Sequence, residues 1–99
     1  MNIVDLVQRF REAQTTPEYQ FEKIMVDLTE QICEIMQTRG ISKDDLACKL
    51  GKSRAWVTSM LRGDRRLTLK TITDIFWAFG YKTTIKVEVR YDEEQDVSD

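Results

Sequence analysis

The sequence predicts an all-α fold, a helix-turn-helix bundle of about five helices, with one β-strand near the carboxyl end. Apolar residues recur every three or four positions along most of residues 2–79, which is the spacing of amphipathic helices. Glycines stand where these helices must end, and after Gly80 the pattern changes to a period of two. Since 41% of the 99 residues are hydrophobic, the chain can bury the modest core of one small domain.

The stretch of residues 42–63 predicts two short helices joined by a tight turn. Ala47 lies midway along the first helix, where two steeply crossing helices need a small residue. Gly51 follows four residues later and can adopt the positive φ of a helix carboxyl end. Four apolar residues are expected to share the buried face between the helices: Leu46, Leu50, Val57 and Leu61. This arrangement is a helix-turn-helix, and it indicates binding of duplex DNA.

Two further helices are predicted before this motif. Residues 2–13 predict a short amphipathic helix, which must lie against something to persist. Its apolar face consists of Ile3, Leu6, Val7 and Phe10. Thr16 is a typical N-cap, and Pro17, the only proline, suits the first helical position. A long helix then runs to Gly40, with an apolar stripe formed by Phe21, Ile24, Leu28, Ile32 and Ile35.

Polar caps and glycines define the remaining helices. Ser42 caps the first helix of the motif, with Asp45 three residues on as in a capping box, and Ser53 caps the second. Gly63 ends the second helix and Thr68 opens the last one. The core residues expected from the last helix are Leu69, Ile72, Ile75, Phe76 and Phe79.

The residues after the last helix alternate polar and apolar side chains, which predicts a strand. A lone strand in a helical chain exposes a row of amide groups. We therefore expect a two-stranded antiparallel sheet across a homodimer, with the apolar side chains of the strand at the interface: Ile85, Val87 and Val89. The chain accordingly divides into an amphipathic helix (1–15), a helix-turn-helix domain (16–82), a dimerisation strand (83–91) and an acidic tail predicted to be disordered (92–99).

Positive charge is concentrated in the helix-turn-helix segment. The whole chain carries 15 basic and 17 acidic residues, and its net charge of −2 argues mildly against nucleic-acid binding. Residues 39–70, however, carry nine basic and three acidic side chains, a net charge of +6. Residues 1–38 and 71–99 each carry a net charge of −4. Because a phosphate backbone responds to charge within about 8–10 Å, the local excess favours DNA.

The residue types offer little for catalysis or metal binding. The chain has no histidine, and its two cysteines, Cys33 and Cys48, do not have the usual zinc spacings. Each cysteine falls within a helical pattern and is interpreted as a small filler in a reducing cytosol. We expect no enzyme activity, no metal and no cofactor. The sequence shows no apolar run of about 20 residues and no secretory signal pattern, so a cytoplasmic location is expected.

Base reading in a helix-turn-helix comes from the outward face of the second helix, here residues 53–62. Arg54 is the first candidate, because its planar guanidinium can donate twice to guanine O6 and N7. The alternative for Arg54 is a solvated or phosphate-contacting side chain. Ala55 could contact a thymine methyl group, and Thr58 and Ser59 could bond to a base edge.

Other side chains of the motif are candidates for the DNA backbone, where contacts position the domain without reading sequence. They are Lys52, Ser53, Arg62, Arg65 and Arg66. For any single lysine, a solvated position is the alternative. Trp56 either packs against sugar and phosphate, donating its indole N–H to an oxygen, or covers the first helix of the motif. Trp77 is interpreted as core or dimer interface.

Small, capping and apolar positions of the chain keep the register of a known family. They are Leu46-Ala47, Leu50-Gly51, Ser53, Val57, Leu61, Gly63, Leu67-Thr68-Leu69 and Ala78-Phe79-Gly80. Through them residues 20–82 resemble the xenobiotic-response-element (XRE) regulators, which share the lambda-repressor-like DNA-binding domain of phage repressors and Cro proteins. The resemblance implies that the helix after the glycine turn enters the major groove, that Lys43 contacts a phosphate, and that dimers bind operators. The chain departs from the family pattern at Trp56, Phe76 and Trp77, where smaller residues are usual.

A second likeness involves the termini. Thr16-Pro17-Glu18-Tyr19, Arg62-Gly63-Asp64 and the final strand are similar to small XRE-type proteins, which include antitoxins of the host-inhibition-of-growth class. Two functions therefore stay open. One is a repressor that binds a pseudo-palindromic operator as a homodimer. The other is an antitoxin that neutralises a basic toxin enzyme through its acidic flanks and represses its own operon.

Overall fold

The protein consists of five α-helices in the part of the chain that its computed structural model describes, residues 2–14, 16–64 and 67–90. They are α1 (Ile3–Gln14), α2 (Pro17–Arg39), α3 (Lys43–Leu50), α4 (Arg54–Leu61) and α5 (Leu69–Ala78). The predicted all-α architecture and the number of helices are confirmed. Over those ranges, none of the helices combines the length and the apolar character that crossing a bilayer requires.

The helices begin and end at the residues that the sequence marks. The hydroxyl of Thr16 accepts a hydrogen bond from the Tyr19 backbone N–H at 3.1 Å, and Pro17 follows as the first residue of α2. Gly40 ends α2 in the left-handed conformation, with φ of 66°, and its N–H donates to the Met36 carbonyl. Thr68 caps α5 by accepting from the Thr71 N–H at 3.1 Å. The predicted caps are confirmed at each of these places.

The core lies between the second half of α2 and helices α3, α4 and α5. The side chains of Ile32, Leu46, Val57 and Ile75 are fully buried there. Further buried residues are Met36, Ala47, Met60, Leu67, Ile72, Phe76 and Phe79. Leu50 and Leu61, predicted at the buried face of the motif, are half-buried against this cluster. Met60 lies deeper than Leu61, because α4 turns its third and sixth residues after Arg54 toward α3.

The prediction that Leu69 belongs to the core is wrong. Leu69 is 58% exposed, whereas the other apolar residues expected from α5 are buried. Leu69 is the first residue of α5 and points away from the core, and Leu67, two residues earlier, occupies the core at this end of the helix. Trp77 is also no core residue, because 72% of its surface is exposed.

The amino-terminal part of the chain lacks such a core. We call α1 together with residues 17–30 of α2 the amino-terminal arm. Helix α1 contacts α2, yet its apolar side chains are between 43% and 75% exposed: Ile3, Val4, Leu6, Val7 and Phe10. Phe21, Ile24 and Val26 of α2 are exposed as well. The apolar stripe predicted along α2 is therefore exposed at Phe21 and Ile24, whereas Leu28, Ile32 and Ile35 pack with the core.

Arg39 holds the start of the segment that follows α5. The guanidinium of Arg39 donates to the Phe79 carbonyl and lies 5.4 Å from the centre of the Tyr81 ring. Residues 81–90 have no regular secondary structure in the single chain, and Ile85, Val87 and Val89 are exposed. The predicted strand is thus not confirmed here, since a ladder needs a second strand to bond with. Residue 91 and the predicted acidic tail, 92–99, lie outside the described residues.

Candidate nucleic-acid interface

The turn between α3 and α4 has the geometry that the motif requires. Gly51 adopts φ of 67°, and the Lys52 N–H donates to the Ala47 carbonyl at 2.9 Å. No atom lies within 4 Å of where a Cβ would stand on Gly51, so conformation rather than space favours glycine there. The buried Ala47 lets the backbones of α3 and α4 approach closely, and α4 is thereby fixed across α3.

The amino end of α3 is held by a complete capping box. The Ser42 hydroxyl accepts from the Asp45 N–H at 3.0 Å, and the Asp45 carboxylate accepts from the Ser42 N–H at 3.2 Å. The hydrogen bonds from the Ser42 backbone and side chain hold the pKa of Asp45 below its ordinary value of 3.8. Lys43, which the family resemblance makes a phosphate contact, is the first residue of α3 and is half-buried. A helix amino end with a cation beside it suits an anion.

Helix α4 presents a polar face opposite its buried one. Ser53 caps it by accepting from the Trp56 N–H at 3.0 Å, while Val57 and Met60 point into the core. The proposed base readers divide into two pairs on the other side. Arg54 and Ala55 are exposed at the first turn, and Thr58 and Ser59 are half-buried one turn later. Arg54 and Ala55 are therefore the more accessible pair to a base edge.

An ion pair that the sequence did not predict lies across the two helices. The Arg54 Nη1 atom is 3.7 Å from the Asp44 Oδ2 atom, and both side chains are about two-thirds exposed. Residues ten apart on two helices have no local spacing that reveals a contact, so sequence patterns alone do not indicate this pair. An exposed pair of this kind contributes little stability, so the guanidinium can exchange its partner when DNA approaches.

Trp56 and Lys52 form a second contact at the turn. The Lys52 ammonium lies 5.5 Å from the centre of the Trp56 ring, and the half-buried indole packs against the core. This packing agrees with the interpretation of Trp56 as a cover, and its contact with sugar and phosphate stays a prediction. Lys52 itself is exposed beside the amino end of α4, where a phosphate would also meet the Ser53 hydroxyl.

Of the three arginines near the end of α4 that were predicted to contact phosphate, Arg62 lies within the described residues. Arg62 is the C-cap of α4, and its Nε atom lies 3.8 Å from the Asp64 carboxylate with the side chain 72% exposed. Arg65 and Arg66, also predicted to contact phosphate, lie outside the described residues. The described candidates thus occupy the amino ends of α3 and α4, the turn between them and the carboxyl end of α4.

Comparison with known proteins gives no match: no family model, no curated protein and no solved structure is similar to this chain. Within residues 2–14, 16–64 and 67–90, no three histidine, cysteine, aspartate or glutamate side chains come together as a possible metal site.

Proposed function

We propose that this protein is a sequence-specific transcriptional regulator of the XRE type, a repressor that binds DNA through the recognition helix α4 and the residues flanking it (53–62). One observation carries the proposal: α4 is fixed across α3 by its buried face, and its first turn points outward with Arg54 and Ala55 exposed. This is the arrangement in which the second helix of a helix-turn-helix meets base edges in the major groove. The net charge of +6 over residues 39–70 supports it.

Each contact has a distinct role in this proposal. Arg54 leaves Asp44 and donates to a guanine, and Ala55 packs against a neighbouring base. Lys43, Lys52 and Ser53 bind phosphates on either side of the groove, where two helix amino ends add their N–H groups. The bound repressor then blocks transcription sterically.

The operator is proposed to be pseudo-palindromic, because we propose a homodimer. Pairing of two copies of the segment 83–91 would give each strand the partner that it lacks in the single chain. The exposed apolar residues Ile85, Val87 and Val89 support this, since pairing would bring the apolar side chains of the two strands together on one face of the sheet and cover part of their surface. Two recognition helices then meet half-sites about one helical turn apart.

The experiment that tests the interface measures affinity for a duplex at several salt concentrations in three variants. Lys52→Ala is expected to weaken binding to all sequences alike and to reduce the salt slope by about one. Arg54→Ala is expected to cost roughly 1–3 kcal/mol on a preferred sequence and little on a random one. Arg9→Ala on α1 is the matched control, since that arginine lies outside the interface. Unchanged affinity in both interface variants would contradict the proposal.

A second function is favoured by the charge of the flanks. Residues 1–38 carry a net charge of −4, which suits a basic protein partner such as a toxin enzyme. In that case the chain is an antitoxin, and repression of its own operon accompanies neutralisation. Co-purification from the native source with one small basic protein, in a stoichiometric and salt-sensitive complex, would support this function. Recovery of the chain without such a partner under the same conditions would count against it.

A further inference from the structure

Helix α1 is an amphipathic helix whose apolar face stays largely exposed within the described residues, although the helix contacts α2. Val4, Val7 and Arg11 follow one another at three- and four-residue steps, so Arg11 extends the apolar stripe as its basic border. Asp5 and Glu12, which are seven residues apart, lie on the opposite side. The face that α1 offers to a partner is therefore apolar with a positive edge.

The chain also contains a groove of the opposite character. It has a volume of about 470 Å³ and runs along α2 beside the carboxyl end of α4. Its apolar lining consists of Met25, Val26, Cys33 and Leu61. Its charged lining consists of three acidic residues, Glu22, Glu30 and Glu34, and one basic residue, Arg62, so acidic charge is in excess. Arg62 borders both this groove and the candidate nucleic-acid interface, but the three acidic side chains outnumber it and would repel DNA along the α2 side of the groove. They favour an occupant with positive charge beside an apolar stripe.

Helix α1 is long enough to lie along most of the groove. The lining residues of α2 run from Glu22 to Gln37, which corresponds to about 22 Å at 1.5 Å per residue. The twelve residues of α1 span about 18 Å. The backbone groups of α2 are already bonded within the helix, so an occupant that satisfies its own backbone, another helix, suits this surface better than a strand.

The α1 of the same chain cannot reach the second half of this groove. It ends at Gln14, and α2 begins at Pro17, so an α1 folded back antiparallel would lie beside roughly residues 17–29. The second half of the groove, from Glu30 to Gln37 and across to Leu61, is beyond that reach.

We propose that α1 of one copy packs into this groove of a second copy, with its apolar stripe against Val26 and Leu61 and Arg11 near Glu30 and Glu34. The exchange is reciprocal, because each copy carries both surfaces, and it forms a two-fold symmetric dimer. It covers α1 and the exposed first half of α2 at once. This contact is separate from the strand pairing at residues 83–91 and does not depend on DNA binding.

A disulfide between copies tests the contact directly. Cys33 lines the groove, and Cys48 is exposed on α3, so Cys48→Ser is the background. In that background Val7→Cys is expected to form a reducible dimer with Cys33 under mild oxidation, and adding Cys33→Ser should abolish it. Gln8→Cys, on the polar face of α1, is the matched control and should form much less of the reducible dimer. Equal cross-linking from Val7→Cys and Gln8→Cys would overturn the proposal.

Sedimentation of the full chain across a concentration series supplies the second measurement. Leu6→Glu and Val26→Glu are each expected to weaken self-association about tenfold or more with unchanged helicity by circular dichroism. Arg11→Glu and the pair Glu30→Arg, Glu34→Arg should each weaken it, and combining them in one chain should restore it.

The remaining outcomes also decide the question. Loss of the dimer in Val87→Lys alone, with α1 and groove variants unaffected, would assign self-association to the strand and overturn the exchange. A monomeric chain whose groove instead binds a synthetic amphipathic lysine–leucine peptide would assign the groove to a different, basic protein and overturn it as well. The first result would support the strand pairing proposed above, and a monomeric chain would contradict the proposed homodimer, whereas base reading by α4 is measured separately by the affinity of the Arg54→Ala variant.

Discussion

Residues 32–80 and the amino-terminal arm are both helical, but different forces hold them. In residues 32–80, helices of eight to ten residues share eleven buried apolar side chains with the end of α2. In the arm, most apolar residues of α1 and of the start of α2 are exposed, and only Met25 and Leu28 pack against the core. Since isolated helices shorter than about 12–15 residues are marginal in water, the short helices α3 and α4 depend on their core, and α1 has little burial of this kind to stabilise it.

The contrast shows what amphipathic patterning does and does not determine. A stripe of apolar residues predicts a helix in both regions, but only complementary surfaces elsewhere in the chain decide whether the stripe is buried. Four helices of this chain supply such surfaces to one another. In the arm only Met25 and Leu28 find such a surface, against the core, and the exchange proposed above would supply one to α1 from a second copy.

Truncation of a buried leucine should cause the largest loss of stability, and truncation of exposed leucines should cause little. Leu46→Ala is expected to lower the free energy of unfolding by about 2–5 kcal/mol, because Leu46 is fully buried and leaves a cavity. Leu69→Ala and Leu6→Ala make the same change at exposed positions, and each should cost less than about 1 kcal/mol in dilute protein. Urea unfolding measures all three. A loss at Leu6 equal to that at Leu46 would show that the arm is packed within its own chain.

Substitution of Gly51, in the turn between α3 and α4, should change the stability of the fold through backbone conformation alone. Gly51→Ala is expected to destabilise the fold by about 1–2 kcal/mol, because alanine is strained at φ of 67° although nothing crowds the position. Gly51→Asn is the informative companion, since asparagine tolerates the left-handed region better, and it should lose less. Thermal unfolding of the two variants gives the comparison. A larger loss for asparagine would point to crowding instead of strain.

Removal of the N-cap of α4 should cause a smaller loss of stability. Ser53→Ala is expected to cost about 1 kcal/mol, because the Trp56 N–H loses its acceptor. Ser59→Ala, within the same helix, should cost nothing or stabilise slightly, since alanine is the better helix former. Urea midpoints for the two variants test this. Equal losses at both serines would mean that the hydroxyl of Ser53 does not cap α4.

The pH dependence at Asp45 should be the smallest effect. Its pKa is lowered in the folded chain by the hydrogen bonds from Ser42, so the carboxylate stabilises the fold above the ordinary value of 3.8. This contribution is lost as the pH falls through that value toward the lower folded pKa. The difference in unfolding free energy between the protein and Asp45→Asn should therefore shrink between about pH 5 and pH 2. A difference that grows on acidification would contradict the capping box.

Local signals allowed much of the domain to be predicted from the sequence. Caps at Thr16, Ser42, Ser53 and Thr68 act within three residues, so the sequence places them directly. Leu69 was misplaced because periodicity gives the face of a helix but not where along its length the core stops. The Arg54–Asp44 pair and the acidic groove depend on how separate helices cross, which no local spacing reveals.

Selection of bound duplexes from a random DNA pool, followed by affinity for the selected sequence at several salt concentrations, tests the central claim most directly. We predict an enriched palindrome with half-sites about one helical turn apart, a steep fall in affinity with salt, and a guanine whose preference disappears in Arg54→Ala. No enrichment, with weak binding indifferent to sequence, would contradict a DNA-reading function for α4.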